Sequence, residues 1–451
     1  MTDIQAEHPE YVKLKATWPR YRDLYAGGEQ FIRNAGEYLV KRQREPAGVY
    51  MERLGRAFYE NYTGSIIDWY AATLFRREPV LTYEGDDASA RQFFNLFAED
   101  CDRRGSTLSD FYRRQAIEAQ VAGKSYIVVD FPRADDRPLN RAAEDALGIS
   151  RAYLCGYPVE SGINWQRDES GELEWIVLRS DRAGEKRWVR YDRTRFEVYS
   201  QMEGKGRSGA PALVDAGPHG LAGQRRVPVF EFSLGEGMWL MNKAASLQIE
   251  HFNKSNALAW ALTMGLFAMP VVYSEREQTP AMGDSYYLQL GPNDRFGWTE
   301  PEGHVYEIAL QNIDRLKEEI YRVCYVLSMA GGPLSSHSGL TGLSKQRDYL
   351  ITQEVLRGFG DRVKDSMIQI LRAVAEARQD ALQVAVTGLD EFDIGDFAEE
   401  LDNARKLLEM GIESPTMKAQ IFKKLAMKYL CDERQEVKDR IAQEIDGPNV
   451  Q

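Results

Sequence analysis

The order of hydrophobic periods predicts an α+β chain, and three observations carry that prediction. Apolar residues at helical spacing dominate the first 125 or so positions, and short β segments separated by Gly, Asp and Arg fill the stretch from Ala152 to Phe232. From Met238 onward, long helical periods return around one small β excursion.

Residues 9 to 45 are mixed in character, and Gly27-Gly28 breaks any period between Leu24 and Phe31, which predicts short helices and loops. Between Val49 and Phe75, the residues Tyr50, Leu54, Phe58, Tyr62, Ile66, Trp69 and Leu74 recur every three to five positions. That spacing predicts one amphipathic helix, bent at Gly64. Pro79 stops it, and Val80-Leu81-Thr82-Tyr83 reads as a strand. Helices are expected from about Ala90 to Arg103 and from Ser106–Ser109 to Val121, the second closed by Gly123, a residue that takes positive φ without a steric cost. Tyr126-Ile127-Val128-Val129 is a strand. In the middle region Trp175 to Leu178, Arg187 to Tyr191 and Phe196 to Tyr199 read as an antiparallel meander, and Glu203 to Gly223 as an exposed, Gly-rich hairpin tip or loop.

Helix is next expected from Met238 to Leu266, then strands at Pro270 to Tyr273 and Tyr286 to Leu290, then helix from Ile308 to Ala330, stopped by Gly331-Gly332-Pro333. The segment from Leu334 to Ser344 is small and polar and reads as a loop. The longest helical pattern runs from about Ser344 to Val386, with a kink expected at Gly358-Phe359-Gly360, since each glycine costs about 1 kcal/mol against alanine in a helix. Asp390, Glu391, Asp393, Asp396, Glu399, Glu400 and Asp402 form an acidic, solvated stretch, and Ser414-Pro415 starts a C-terminal helix as N-cap and first helical residue.

Composition narrows the function classes. The chain has 451 residues, 43% hydrophobic and 28% charged, and a formal net charge of −12. A broad phosphate-gripping surface is not expected at that charge. No apolar run reaches the roughly 18 to 20 residues of a membrane-spanning helix, and the acid-bearing start Met1 to His8 does not read as a signal peptide, so folding in a cytoplasm is expected. Cys101, Cys155, Cys324 and Cys431 are too far apart for a zinc ribbon and read as reduced core thiols.

No active site emerges. His8, His219, His251, His304 and His337 are scattered, with no pair at metal-ligand spacing. His251 reads as a satisfied or surface residue of its helix. The run Gly339 to Lys345 opens a helix as a phosphate loop would, but its lysine does not follow a glycine, no Ser or Thr follows it, and no strand precedes it. No Gly-x-Ser-x-Gly elbow and no EF-hand spacing is present. Neither enzymatic activity nor a metal or cofactor is expected.

The arrangement helix, β insertion, helix, polar loop, long helix and acidic helical tail resembles that of tailed-bacteriophage portal proteins. The first half is similar to a portal-type group first described as a phage domain of unknown function. The residues that carry this are Trp18-Pro19-Arg20-Tyr21-Arg22-Asp23, Gly27-Gly28, Glu37-Tyr38-Leu39, Tyr50-Met51-Glu52-Arg53, Leu74 to Pro79 and Ile163-Asn164-Trp165, followed in the second half by Leu247 to Asn253 and Met269 to Val272. The resemblance implies an elongated subunit: an α/β wing (1–237), stem helices (238–266 and 308–330), a small β clip (267–307), a tunnel loop (331–344), a long kinked tunnel helix (345–386) and a helical crown (387–451). It further implies a ring of twelve copies at one capsid vertex of the virion, through which double-stranded DNA passes with weak, non-specific contact. Implied partners are the terminase large subunit, a head-tail adaptor and the capsid or scaffold protein. Ser335, Ser336, His337, Ser338, Thr341 and Lys345 would then face DNA. Tyr286, Tyr287 and Trp298 would meet terminase or adaptor. Leu316, Ile320 and Val323, read as apolar residues that one subunit cannot cover, would lie between stems. A strongly acidic ring suits a channel that must pass DNA without gripping it.

Overall fold

A computed structural model describes residues 3–132, 151–182, 184–202, 210–265, 269–273, 295–299, 303–326, 342–389, 397–410, 414–430 and 433–446. The fold is α+β.

The N-terminal region is built from α1 (Pro9–Lys15), α2 (Trp18–Ala26), α3 (Gly28–Arg33), α4 (Ala47–Gly55) and α5 (Tyr62–Leu74), then β1 (Val80–Glu84), α6 (Ala88–Glu99) and α7 (Leu108–Ala122). The single helix expected from Val49 to Phe75 is two helices. Asn61 caps the second, its side chain accepting from the Gly64 amide, and its amide nitrogen donates to the Tyr25 carbonyl at 2.8 Å. Gly64 is required there, because a Cβ would sit 2.7 Å from that same carbonyl. Gly123 closes α7 at φ +96, as the sequence predicts.

Three strands, β2 (Lys124–Asp130), β3 (Tyr153–Pro158) and the later β9 (Val229–Ser233), form one antiparallel sheet with β2 in the centre. Between them in sequence, β4 (Gly162–Arg167), β5 (Leu173–Arg182), β6 (Glu185–Asp192), β7 (Arg195–Met202) and β8 (Ala212–Pro218) make a five-stranded antiparallel meander. The meander is the expected one with strands added at both edges. Part of the stretch read as a loop, Ala212–Pro218, is its last strand; 203–209 lies outside the described residues.

The second half comprises α8 (Leu240–Gly265), β10 (Met269–Tyr273), β11 (Arg295–Thr299), α9 (Gly303–Val323), α10 (Gly342–Arg378), β12 (Gln383–Thr387), α11 (Phe397–Glu409), α12 (Pro415–Tyr429) and α13 (Gln435–Asp446). Ser414 caps α12 by accepting from the Met417 amide. The strand expected at Tyr286 to Leu290 lies outside the described residues, and β10 pairs with β11 instead. The long helix ends at Arg378, not Val386, and passes through Gly358 and Gly360 unbroken. Those glycines make room rather than a kink: a methyl group at Gly360 would overlap the Leu389 carbonyl, and one at Gly358 would press on Met238.

The chain then returns to its beginning. β12 pairs antiparallel with β1, Val80 opposite Thr387. The Gln435 side chain brackets β1 further, its oxygen accepting from the Leu81 amide at 3.2 Å and its nitrogen donating to the Leu81 carbonyl at 2.8 Å. One large core runs through α2, α5, α6, α7, β2, β9, α8, α9, α10 and β12, and a smaller one lies between α1, α2 and the meander.

Candidate functional site

The helix pair α8 and α9 brackets the strands β10 and β11 in sequence. At 1.5 Å per residue α8 is roughly 39 Å long and α9 roughly 32 Å. Tyr306 near the start of α9 donates to the Ala261 carbonyl near the end of α8, and Tyr325 just past α9 meets Lys243 near the start of α8, so the helices run in opposite directions.

The base of this arm is anchored by amide side chains of α8. The Gln248 oxygen accepts from both the amide and hydroxyl of Thr63 at 3.1 Å, and its nitrogen donates to the Glu60 carbonyl at 2.7 Å. Asn253 accepts from the Val40 amide and donates to the Tyr38 carbonyl. Asn256 pairs with both backbone groups of Phe58, at 3.1 and 2.9 Å. Each amide satisfies main chain that has no strand or helix partner, which an apolar residue could not do. Among the described residues, Asn256 is the last position at which α8 makes such a bond to the N-terminal segment. Beyond it the arm is open: Leu262, Val305, Ile308 and Leu310 are 44 to 59% exposed.

Of the three residues expected between stems, Ile320 needs correction. Ile320 is 0% exposed in the chain's own core, and Val323 packs against that core; Leu316 is half-buried. The chain covers this side of α9 itself, because the helix end is seated on α5: Tyr70 donates to the Cys324 carbonyl at 2.8 Å and the Tyr62 and Tyr321 rings lie 6.1 Å apart.

The same end stops earlier than expected. α9 finishes at Val323 rather than Ala330, because Tyr325 adopts a left-handed backbone at φ +62. The Val326 amide then reaches the Tyr321 carbonyl and the Tyr325 amide the Arg322 carbonyl, the paired bonds of a helix stop that glycine ordinarily provides. Tyr325 is held from three sides: Thr352 of α10 donates to its carbonyl, Lys243 donates to its hydroxyl at 2.5 Å, and the same ammonium lies 4.4 Å from its ring centre. Residues 327–341 follow. Gly331-Gly332-Pro333 and the expected DNA-facing Ser335, Ser336, His337, Ser338 and Thr341 lie outside the described residues, as do Tyr286 and Tyr287. Lys345 falls in the first turns of α10, and Trp298 is in β11 opposite Pro270.

His251 is not at the surface, and it is satisfied at one ring nitrogen only. It is 1% exposed, its Nδ1 is 3.4 Å from the Ser255 hydroxyl and 3.8 Å from the Glu60 carboxylate, and its Nε2 has no partner. Burial pushes its pKa down, against the opposing pull of Glu60. Cys101 and Cys324 are buried and Cys155 half-buried, all free thiols; burial pushes Cys324 up to about 12, which removes its nucleophilic thiolate. Among the described residues no cluster of His, Cys, Asp and Glu could hold a metal, and no helix is long and apolar enough to cross a membrane.

No family model matches the chain, and no curated protein matches it. Solved structures do. The neck of an empty gene transfer agent particle, computed with C6 symmetry, contains a chain 11% identical, with 80% of this chain and 90% of that one covered and a TM-score of 0.48. A chain in the virion of the native gene transfer agent particle is 11% identical over 83% and 93%, with a TM-score of 0.44. One in the neck of the native particle computed with C12 symmetry is 11% identical over 80% and 89%, with a TM-score of 0.42.

Proposed function

We propose that the chain is a portal subunit: copies of it form a ring at one vertex of a phage capsid, through which double-stranded DNA is packaged and ejected, and on which terminase and a tail adaptor dock. In this reading residues 1–237 are the wing, α8 and α9 the stem, the segment between them the clip, the segment between α9 and α10 the tunnel loop, α10 the tunnel helix and 387–451 the crown. The subunit itself hydrolyses nothing.

The observation that carries the reading is the arm. Leu262, Val305, Ile308 and Leu310 are large apolar side chains exposed along one helix pair whose base is firmly anchored. Identical neighbours in a closed ring would cover them at every copy. The subunit contact therefore belongs to this outer surface of α9, with Ile320 and Val323 reserved for the fold of the single chain. The net charge of −12 per copy suits a channel wall that lets a duplex slide.

Negative-stain images and mass photometry of the purified full chain test this. Rings of one size with a central hole are the expected result. A monomer or dimer at micromolar concentration overturns the reading.

A further inference from the structure

A cavity of about 300 Å³ lies where the ends of the meander meet β9 and α10, lined by Arg167, Arg193, Arg225, Arg226, Phe230 and Gln369 among others. Such a volume is at the lower limit of sites that hold small molecules. Four of its lining residues are arginines.

The charges there do not balance. Arg167 donates to Glu231 at 2.8 Å and to the Gly171 carbonyl, and Lys124 shares Glu231 at 3.1 Å. Arg193 pairs with Asp168, whose pKa falls to about 2 because the Ser170 hydroxyl, Arg193 and backbone amides all bind its charged form. Glu172 lines the rim. Five cations, Lys124 and the four arginines, thus face three carboxylates, Asp168, Glu172 and Glu231. Two positive charges are left over. Arg225 and Arg226 are the two lining arginines that among the described residues pair with no carboxylate, while Lys124 and Arg167 share Glu231; Arg225 is exposed at the mouth, and Arg226 lies 4.8 Å from the Phe230 ring centre.

These two guanidinium groups are presented by a rigid turn. Leu221 at its start is fully buried, the Ala222 amide is bound by the His219 carbonyl and the Arg225 amide by the Ala222 carbonyl, and Gln224 donates to the Ala373 carbonyl of α10 at 3.0 Å. Arg225 itself is held at φ +52, a left-handed conformation that costs an arginine roughly 1–2 kcal/mol. Residues held in such sparsely populated backbone conformations cluster at binding and active sites.

We propose that this cavity binds the phosphate group of a dianionic phosphate ligand through Arg225 and Arg226. Two unmatched guanidinium groups balance two negative charges, and their planar donors grip phosphate oxygens in pairs. A carboxylate supplies one charge only and leaves the other arginine unmatched. The inference is independent of the portal reading, since it requires one chain and no ring.

The test is isothermal titration of the full-length protein at low ionic strength with inorganic phosphate, adenosine monophosphate, acetate and a short DNA duplex, repeated on the Arg225→Ala/Arg226→Ala variant. Saturable binding of phosphate or the nucleotide, weakened about tenfold or more in the variant, is the expected result. Nucleotide tighter than inorganic phosphate identifies a soluble phosphate monoester as the source, whereas tightest binding by the duplex, whose phosphodiesters carry one charge each, overturns the assignment of a dianionic group. Equal binding of phosphate to both proteins, acetate binding as tightly as phosphate, or no saturable binding of any phosphate probe overturns the proposal. Both substitutions are outside the cores, so unchanged melting of the variant is the control that it is folded.

Discussion

The hydroxyl of Thr352 donates to the main-chain carbonyl of Tyr325 at 2.6 Å, tying α10 to the point where α9 ends. That bond is made to a residue in a left-handed conformation, so it holds in place a backbone turn that the Tyr325 side chain alone would disfavour.

Thr352→Val is therefore expected to lower the stability of the chain by about 1–2 kcal/mol, since the hydroxyl is buried and the carbonyl loses its donor. Tyr325→Phe, which keeps the ring under Lys243 and loses only the hydroxyl contact, is expected to cost less, about 1 kcal/mol. Urea denaturation of the two variants measures both, and the reverse order would show that the turn is held by the side chain instead.

On the proposed ring reading, the two sides of α9 should separate folding from assembly. Ile320→Asp places a charge in the core and is expected to cost about 4 kcal/mol or more. Val305→Asp with Ile308→Asp, on the exposed side, should change single-chain stability by no more than about 0.5 kcal/mol while abolishing rings. Thermal melts read the first effect and mass photometry the second. Intact rings in the double variant would remove this surface from the subunit contact.

Acid should loosen the anchor of the arm. Burial lowers the pKa of His251 below its ordinary 6.5, with Glu60 and Asp314 opposing and Lys317 assisting, and burial lowers His219 likewise. The unfolded chain then takes up protons that the folded one refuses. Stability is whole above pH 6.5 and falls as pH drops from there through the depressed folded values. His251→Gln should show a smaller loss of urea midpoint between pH 7.5 and 5.5 than the parent chain; an equal loss would place the sensitivity elsewhere.

Gly360→Ala should be costly, roughly 1–3 kcal/mol, although alanine is the better helix former, because its methyl group would overlap the Leu389 carbonyl. A gain in melting temperature would show that the segment after β12 can move aside.

Local signals in the sequence were legible where one residue decides one geometry: Gly123 ends α7, Ser414 with Pro415 opens α12, and the alternation around Trp188 makes a strand. They were not legible where a distant contact decides. Tyr325 and Gln379 both stop helices at positive φ, and nothing local marks a tyrosine or glutamine for that role. The two glycines of α10 look like helix breakers until Met238 and Leu389 are seen against them. Ile320 and Ile308 have the same hydrophobic character in the sequence, and only the packing of α5 assigns one to the core and leaves the other exposed. The amides Gln248, Asn253 and Asn256 carry a faint signal, polar residues in an otherwise apolar helix, whose meaning appears only with their backbone partners. The cavity arginines come from turns far apart in the chain, so no motif unites them.

The pairing of β1 with β12 also sets a timetable. The Val80 carbonyl accepts from the Thr387 hydroxyl across 307 positions, and Leu81 is bracketed by Gln435, which emerges later still. At ribosomal rates of 5–20 residues per second, β1 would leave the exit tunnel roughly 15–60 s before its partner strand exists. During that interval it offers an unpaired edge, with the apolar side chains of Val80 on one face and Leu81 on the other, to any other nascent copy on the same messenger. Encounters between incomplete chains in that interval would therefore risk pairing β1 with the wrong copy before its own partner strand arrives.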